Sequence, residues 1–173
     1  MEAEIRQRYQ AIRQILPEGV SVTVLHIGEK MSAVATGSGA EPEKIMLLAI
    51  GSHKTAADFF LHTPPTPGEI ENAIMQVEDE IARTREMIAG YSTLVTSDVS
   101  ILKIAHIVGA KAGSALQLPV DDVERVFSML ARLSQGAPAA SAGIPPSPTF
   151  AATLLILREF MHHLGFALVS VMV

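Results

Sequence analysis

Six histidines are the side chains of this sequence best able to ligate a metal ion or transfer a proton near neutral pH. They are His26, His53, His62, His106, His162 and His163. Because neighbouring side chains on a helix point about 100° apart, His162 and His163 do not readily hold one ion together. We interpret the six as surface or hydrogen-bonded histidines and predict no metal site. His26 and His53 should lie at the same end of a sheet.

The acidic and hydroxyl side chains are weaker candidates for catalysis than the histidines. The run Glu78–Glu80 is consecutive, so on a helix its carboxylates diverge and form a solvated face. Ser97 and Ser100 have no plausible His–Asp partnership in the sequence, which argues against nucleophilic catalysis. Glu29 and Lys30 form either an exposed ion pair in a tight turn or a ligand contact, and both interpretations remain open.

The elements that position these side chains follow from hydrophobic periodicity. Apolar residues at helical spacing predict a short amphipathic helix over residues 2–16. Three segments rich in β-branched or apolar residues, at 20–27, 31–36 and 44–50, predict strands. The short links between these strands favour antiparallel pairing.

The second part of the chain predicts helices that alternate with strands. Thr66–Glu69 has the composition of a capping box, and it starts a helix that is predicted to run to about Ile88. The later predicted elements are a strand at 92–96, helices at 98–108, 120–133 and 149–164, and a strand at 166–173. The last of these is a continuous apolar run, typical of a strand inside a sheet that is covered on both faces.

This order of elements predicts one α/β domain. Three antiparallel strands precede two strands reached by helical crossovers, as in a ribonuclease H-like lobe of the actin-like ATPase type. We predict a mixed five-stranded sheet of order 3-2-1-4-5 with helices on both faces. A doubly wound nucleotide-binding fold would instead alternate strand and helix from the start. Residues 1–19 are predicted to form an N-terminal helix and linker, and residues 20–173 a single domain.

Composition narrows the functional classes. Hydrophobic residues make up 49% of the 173 residues, and mean hydropathy is +0.33, yet no apolar run reaches the roughly 18 residues of a membrane-spanning helix. The net charge of −5 argues against a nucleic-acid partner, which requires clustered Lys and Arg. The lack of cysteine excludes disulfides, thiolate catalysis and Cys-ligated metal centres. We predict a cytoplasmic protein without a membrane or nucleic-acid partner.

Three blocks of sequence share their order and spacing with one protein family. The blocks are Leu25–Gly28, Leu47–Glu69 and Gly143–Phe166. Together they resemble the second actin-like lobe of the exopolyphosphatase / guanosine pentaphosphate phosphohydrolase (Ppx/GppA) family, over about residues 20–173 and without a counterpart of the first lobe. The resemblance implies hydrolysis of terminal phosphoanhydrides, in a cleft between two lobes and with a divalent metal.

The resemblance also implies a set of phosphate-binding candidates, which match the family incompletely. The candidates are Gly28, Glu29, Lys30 and Ser32 in a first glycine-rich loop, Lys54 after the third strand, and Thr96, Ser97 and Ser100 in a second loop. The family's metal-side Asp corresponds to His26 and its functional Glu to Ala33, which cannot move a proton. Loop amides cradle phosphate where glycine allows positive φ, and Val99 is the poorest substitute. We therefore predict no catalytic residue.

Three functions remain open on these residues. The first is a diverged lobe, inactive by itself, that acts through binding or self-association, with a second copy in place of the absent lobe. The second is a phosphoanhydride hydrolase completed by a first lobe outside this chain, and only this function calls for Mg²⁺. The third is a nucleotide or polyphosphate sensor that holds an anion at Lys54 and residues 96–100. We expect the first, as a dimer without a cofactor.

Overall fold

The computed structural model describes residues 1–110, 115–141 and 143–172. The helices are α1 (Glu2–Arg13), α2 (Ser52–Phe59), α3 (Pro67–Ala82), α4 (Val99–Ile107), α5 (Val120–Ser134) and α6 (Pro148–Leu164). The strands are β1 (Val22–Ile27), β2 (Ser32–Gly37), β3 (Lys44–Leu48), β4 (Thr93–Thr96), β5 (Ala115–Pro119) and β6 (Leu168–Met172). Short 3₁₀ turns lie at Arg85–Met87 and Ala139–Ser141.

The strands form one mixed sheet of order β3-β2-β1-β4-β6-β5. The first three strands pair antiparallel, as predicted. β4 is parallel to β1, and β6 is parallel to β4. The prediction of five strands in the order 3-2-1-4-5 was wrong, because a sixth strand, β5, pairs antiparallel with β6 at the edge of the sheet. Residue 173, the predicted end of the last strand, lies outside the described residues.

β5 escaped prediction because little of its sequence is typical of a strand. Only Leu116 and Leu118 are buried, and the strand is five residues long. Pro and, to a lesser degree, Ala are depleted in strands, and Pro119 has no N–H to donate to a ladder. An edge position tolerates such a residue. The pairing with β6 therefore stabilises a segment that local preference leaves undecided.

The larger core lies on the face of the sheet covered by α2 to α6. α6 contacts each of the other four helices, and its residues 150–157 are all buried. A fully buried Leu or Ile side chain contributes about 1.5–3 kcal/mol, so this run contributes strongly to the stability of the core. Gly165 ends α6 in the left-handed conformation, with φ of 74°. No helix among the described residues is long and apolar enough to cross a membrane.

α1 packs on the opposite face of the sheet, against β1, β2 and β3. Its buried residues Ile5, Tyr9 and Ile12 follow helical spacing. They meet a small cluster that consists of Val22, Val24, Ala33, Ala35 and Val95. Helices therefore lie on both faces of the sheet, and α1 packs on β1, the strand from which the first candidate loop leaves.

α2 and α3 both depart from the sequence prediction. α2 directly follows β3 and was not predicted. α3 begins at the predicted capping box, in which the Thr66 hydroxyl accepts from the Glu69 amide at 3.3 Å and the Glu69 carboxylate accepts from the Thr66 amide at 2.9 Å. The helix ends at Ala82 instead of Ile88, because buried Thr84 donates both its amide and its hydroxyl to the Ile81 carbonyl.

One end of the sheet brings the two candidate loops together. Parallel pairing places the carboxyl ends of β1 and β4 side by side. The chain leaves β1 at Ile27 into a bend of residues 28–31, and it leaves β4 at Thr96 towards α4. The first turn of α2 packs against the bend, where the Ser52 amide donates to the Gly28 carbonyl at 2.9 Å. Polar residues from both loops therefore meet here.

Candidate functional site

A surface cavity of about 530 Å³ lies beside the carboxyl ends of β1 and β4. Its polar lining residues include Glu4, His26, Glu29, Ser52, His53, Ser100, Lys103, Ser147, Thr149 and Thr153. His26 and His53 both line it, which confirms that they lie at the same end of the sheet. One lysine and two histidines face two carboxylates, so the cavity combines both signs of charge.

Asp98 is the centre of a buried polar network next to this cavity. The residue is 5% exposed. Its Oδ1 lies 2.6 Å from Nδ1 of His26 and accepts from Nη1 of Arg8 at 3.2 Å. Its Oδ2 accepts from the Ile27 amide at 2.6 Å. The carboxylate is thus paired and hydrogen-bonded on both oxygens, the state in which a buried charge is tolerated.

α1 supplies the remaining members of this network. Arg8 donates from Nη1 to Oγ of Ser97 at 2.8 Å and from Nη2 to Oε1 of Glu4 at 3.1 Å. The same oxygen of Glu4 lies 3.4 Å from Nε2 of His26. The hydrogen bond from Arg8 lowers the pKa of Glu4, against the opposing effect of partial burial, and His26 adds to the lowering. α1 therefore holds an ionic network over the ends of β1 and β4.

The bend after β1 is fastened to α2 through the helix's own first amides. His53 and Lys54 donate their N–H groups to the Glu29 carbonyl at 2.9 and 3.0 Å, and Ser52 donates to Gly28. The first amides of a helix are the groups that commonly bind anions. In α2 the bend's carbonyl oxygens already accept from these three amides.

Only some of the first group of phosphate-binding candidates line the cavity. Gly28 and Glu29 line the cavity, and Oε2 of Glu29 lies 3.6 Å from Nδ1 of His53. Lys30 is exposed and lies outside the cavity lining. Ser32 is fully buried and donates to the Ile50 carbonyl at 2.8 Å. Lys54 pairs with Asp58 one turn along α2 and lies outside the lining too.

In the second group of candidates, too, only some residues line the cavity. Ser100 lines the cavity from the first turn of α4. Thr96 is buried and accepts from the Asp98 amide at 3.1 Å, while Ser97 is bound to Arg8. Val99 opens α4 without strain, because no residue other than glycine has positive φ among the described residues. Of the eight candidates, only Gly28, Glu29 and Ser100 therefore line the cavity.

Three residues that sequence reasoning passed over lie in or beside this site. Arg8 was assigned only to an amphipathic helix, and Lys103 was not singled out. The spacing of Ser100 and Lys103, three positions apart on one helix, places them on one face and was a usable signal. Asp98 or Ser97 was expected to cap α4, and no further role was predicted for Asp98. It occupies the N-cap position, but its side chain makes no cap hydrogen bond and turns to His26 and Arg8 instead.

Solved structures share this architecture. The Aquifex aeolicus PPX-GPPA enzyme superposes with a TM-score of 0.75 at 18% identity, over 95% of this chain and 57% of that one. An exopolyphosphatase from Cytophaga hutchinsonii superposes with a TM-score of 0.76 at 15% identity, over 99% and 58%. This chain has the Ppx/GppA fold. The resemblance seen in the sequence is confirmed at the level of the fold.

The Ppx/GppA fold is present here in only part of its length. The chain spans less than two thirds of the solved structures it matches. An exopolyphosphatase-like protein is covered to 50%, with a TM-score of 0.68 and 12% identity. No protein-family model matches the sequence, and no curated protein is significantly similar to it. The similarity to the Ppx/GppA fold therefore rests on backbone geometry.

Proposed function

We propose that this chain is a ribonuclease H-like lobe of the Ppx/GppA type that does not hydrolyse phosphoanhydrides by itself and acts by binding and self-association. The observation that supports this proposal is that the first amides of α2 already donate hydrogen bonds within the chain. Ser52, His53 and Lys54 donate to the carbonyls of Gly28 and Glu29. Amides already bound in this way cannot cradle a phosphoryl chain unless the bend moves away from α2.

The carboxylates near the cavity support the same proposal. Asp98 accepts from Arg8 and Ile27 and pairs with His26, so both of its oxygens are already engaged within a buried network. Glu4 is bound to Arg8, which lowers its pKa and makes it a weaker base. Ala33, at the position of the family's functional Glu, is buried and carries no group that transfers a proton.

Phosphate release is the direct test of inactivity. The chain is incubated with polyphosphate or guanosine pentaphosphate and Mg²⁺, and liberated phosphate is measured. We expect no turnover above a heat-denatured control. Sustained turnover that is lost in Lys103→Ala, which changes the cavity, and kept in Lys54→Ala, which lies outside it, would overturn the proposal in favour of a hydrolase.

Self-association is supported by the sheet face that carries α1. α1 covers β1 to β3, but further along the same face Leu168 is 41% exposed and Met172 is half-buried. β5 also presents an open edge beyond this surface. An unpaired sheet edge can pair with a strand of another chain, and a second copy of this chain is the occupant we propose.

Light scattering at several protein concentrations tests this part of the proposal. We expect a dimer that Leu168→Lys converts to a monomer. Leu61→Lys is the matched control, because Leu61 is 82% exposed and is not part of this sheet face. A monomeric parent chain, or a dimer that survives Leu168→Lys, would rule out this surface.

Two alternatives have observations in their favour. The chain covers only 57% of the Aquifex aeolicus structure, which favours a hydrolase completed by a first lobe outside this chain. The cavity of about 530 Å³ holds Lys103 and His53, which favours a nucleotide or polyphosphate sensor. A thermal shift with polyphosphate that disappears in Lys103→Ala and persists in Lys54→Ala would support the sensor.

A further inference from the structure

A second cluster of ionisable side chains joins α3 to the end of α6, far along the chain from the first. His163 lies in the last turn of α6, and its Nε2 is 2.9 Å from Oε1 of Glu78 on α3. The same nitrogen is 3.2 Å from Oε2 of Glu159, one turn earlier on α6. One oxygen of each carboxylate and this nitrogen all lie within 4.8 Å of one another.

Glu159 is the unusual member of the cluster, because it is a carboxylate that is only 1% exposed. Its Oε1 pairs with Nη1 of Arg158, which leaves Oε2 directed at His163. Arg158 is also bound to Glu124, with Nε 3.0 Å from both carboxylate oxygens. The guanidinium is therefore shared between two carboxylates and does not neutralise both.

Counting charges shows what the cluster lacks. Arg158 pairs with Glu124 and Glu159, and Glu78 pairs with His163. Arg85 also lies beside the cluster, where its Nη2 donates to the His163 backbone carbonyl at 3.1 Å, so the three carboxylates outnumber the two guanidinium groups. Buried charge of this kind is stable when it is paired or coordinates a metal, and a cation bound between the carboxylates would provide that partner.

The geometry at Nε2 accommodates a cation as well as a shared hydrogen bond. An imidazole nitrogen carries one hydrogen at most, yet Nε2 of His163 faces oxygens of both Glu78 and Glu159. Bonds of about 2.0–2.1 Å around tetrahedral zinc place neighbouring ligand atoms about 3.3 Å apart. The observed separations of 2.9 and 3.2 Å are close to that value.

We propose that Glu78, Glu159 and His163 bind one divalent transition-metal ion of the zinc class, for which imidazole and carboxylate are suitable ligands. His163 also lines a surface cavity of about 510 Å³, together with Arg85 and Tyr91. This cavity lies at the amino ends of β4 and β6, whereas the first cavity lies at the carboxyl ends of β1 and β4.

Metal titration of the chelator-treated chain tests the proposal. Co²⁺ is added and visible absorption is followed, then Zn²⁺ is added in competition, and the bound metal is counted after dialysis. We expect one ion per chain, with Co²⁺ displaced by Zn²⁺. Glu78→Gln and His163→Gln should each weaken binding at least tenfold, since each removes one of three ligands. Glu78 is 39% exposed in its side chain, so its replacement leaves the core intact.

His162→Gln is the matched control. This histidine is adjacent on α6, its side chain is 62% exposed, and its Nδ1 lies 4.0 Å from Glu124, outside the proposed ligand set. Its replacement should leave the affinity unchanged. No stoichiometric binding, or equal affinity in the parent chain and Glu78→Gln, would overturn the proposal and leave His163 as a hydrogen-bonded bridge between two carboxylates.

Discussion

Gly51 and Glu29 lie so close that a Cβ on Gly51 would stand 2.5 Å from the Glu29 carbonyl oxygen. Gly51 has extended backbone angles, φ −159° and ψ 163°, so sterics alone require glycine here. This contact allows the bend after β1 to accept hydrogen bonds from the first amides of α2. Gly51 thereby allows the hydrogen bonds that, in our proposal, prevent the first amides of α2 from binding phosphate.

Gly51→Ala should destabilise the chain by about 1–3 kcal/mol, because the bend must move to make room for the methyl group. Chemical denaturation measures the loss. Gly68→Ala is the matched control, since a Cβ there meets nothing within 4 Å and alanine is the better helix residue. Equal effects of the two substitutions would contradict the close contact at Gly51.

Asp98→Ala should cost about 3–5 kcal/mol, because it leaves Arg8 and the Ile27 amide without their buried partner. Ser97→Ala removes one hydrogen bond to Arg8 and should cost only about 1 kcal/mol. Equilibrium unfolding of both variants checks the difference. Similar values for the two would show that Asp98 is not the centre of the network.

Acid stability should depend on Glu4. Its pKa is lowered, first by the hydrogen bond from Arg8, so the folded chain holds this carboxylate ionised more firmly than the unfolded chain does. The stabilisation is present above the unfolded pKa of about 4.3 and is lost as pH falls through the folded pKa. Glu4→Gln should therefore flatten the fall in melting temperature below about pH 5.

Glu2→Gln serves as the comparison for this acid series, because it removes a carboxylate from the same helix at a side chain that is 64% exposed. Differential scanning calorimetry from pH 6 to pH 3 compares the curves. A Glu4→Gln curve parallel to that of the parent chain would refute the role given to Arg8.

Removing the α3 cap should cost about 1 kcal/mol. Thr66→Ala deletes the hydroxyl that accepts from the Glu69 amide, whereas Thr66→Ser keeps it and should change stability by only a few tenths of a kcal/mol. Thermal unfolding of both variants measures the contrast. If serine were as damaging as alanine, the threonine methyl group and not the hydrogen bond would be responsible.

Local patterns in the sequence were enough for much of this fold. The capping box at Thr66–Glu69 was predicted and is present, since its reciprocal hydrogen bonds run within four consecutive residues. α2 buries only Thr55 and Ala56, and β5 buries only Leu116 and Leu118. Neither segment has enough periodic apolar residues to indicate its structure, so their packing against the rest of the chain determines it.

The sequence by itself determined which side chains can ionise and which segments bury an apolar face. Only the tertiary structure decided which of those side chains meet. His26 and Asp98 are 72 positions apart, Arg8 and Asp98 are 90 apart, and Glu78 and His163 are 85 apart. Periodicity reports neighbours within about one helical turn, whereas these hydrogen bonds form over about 3 Å of space once α1 has packed on the sheet and α3 has packed against α6.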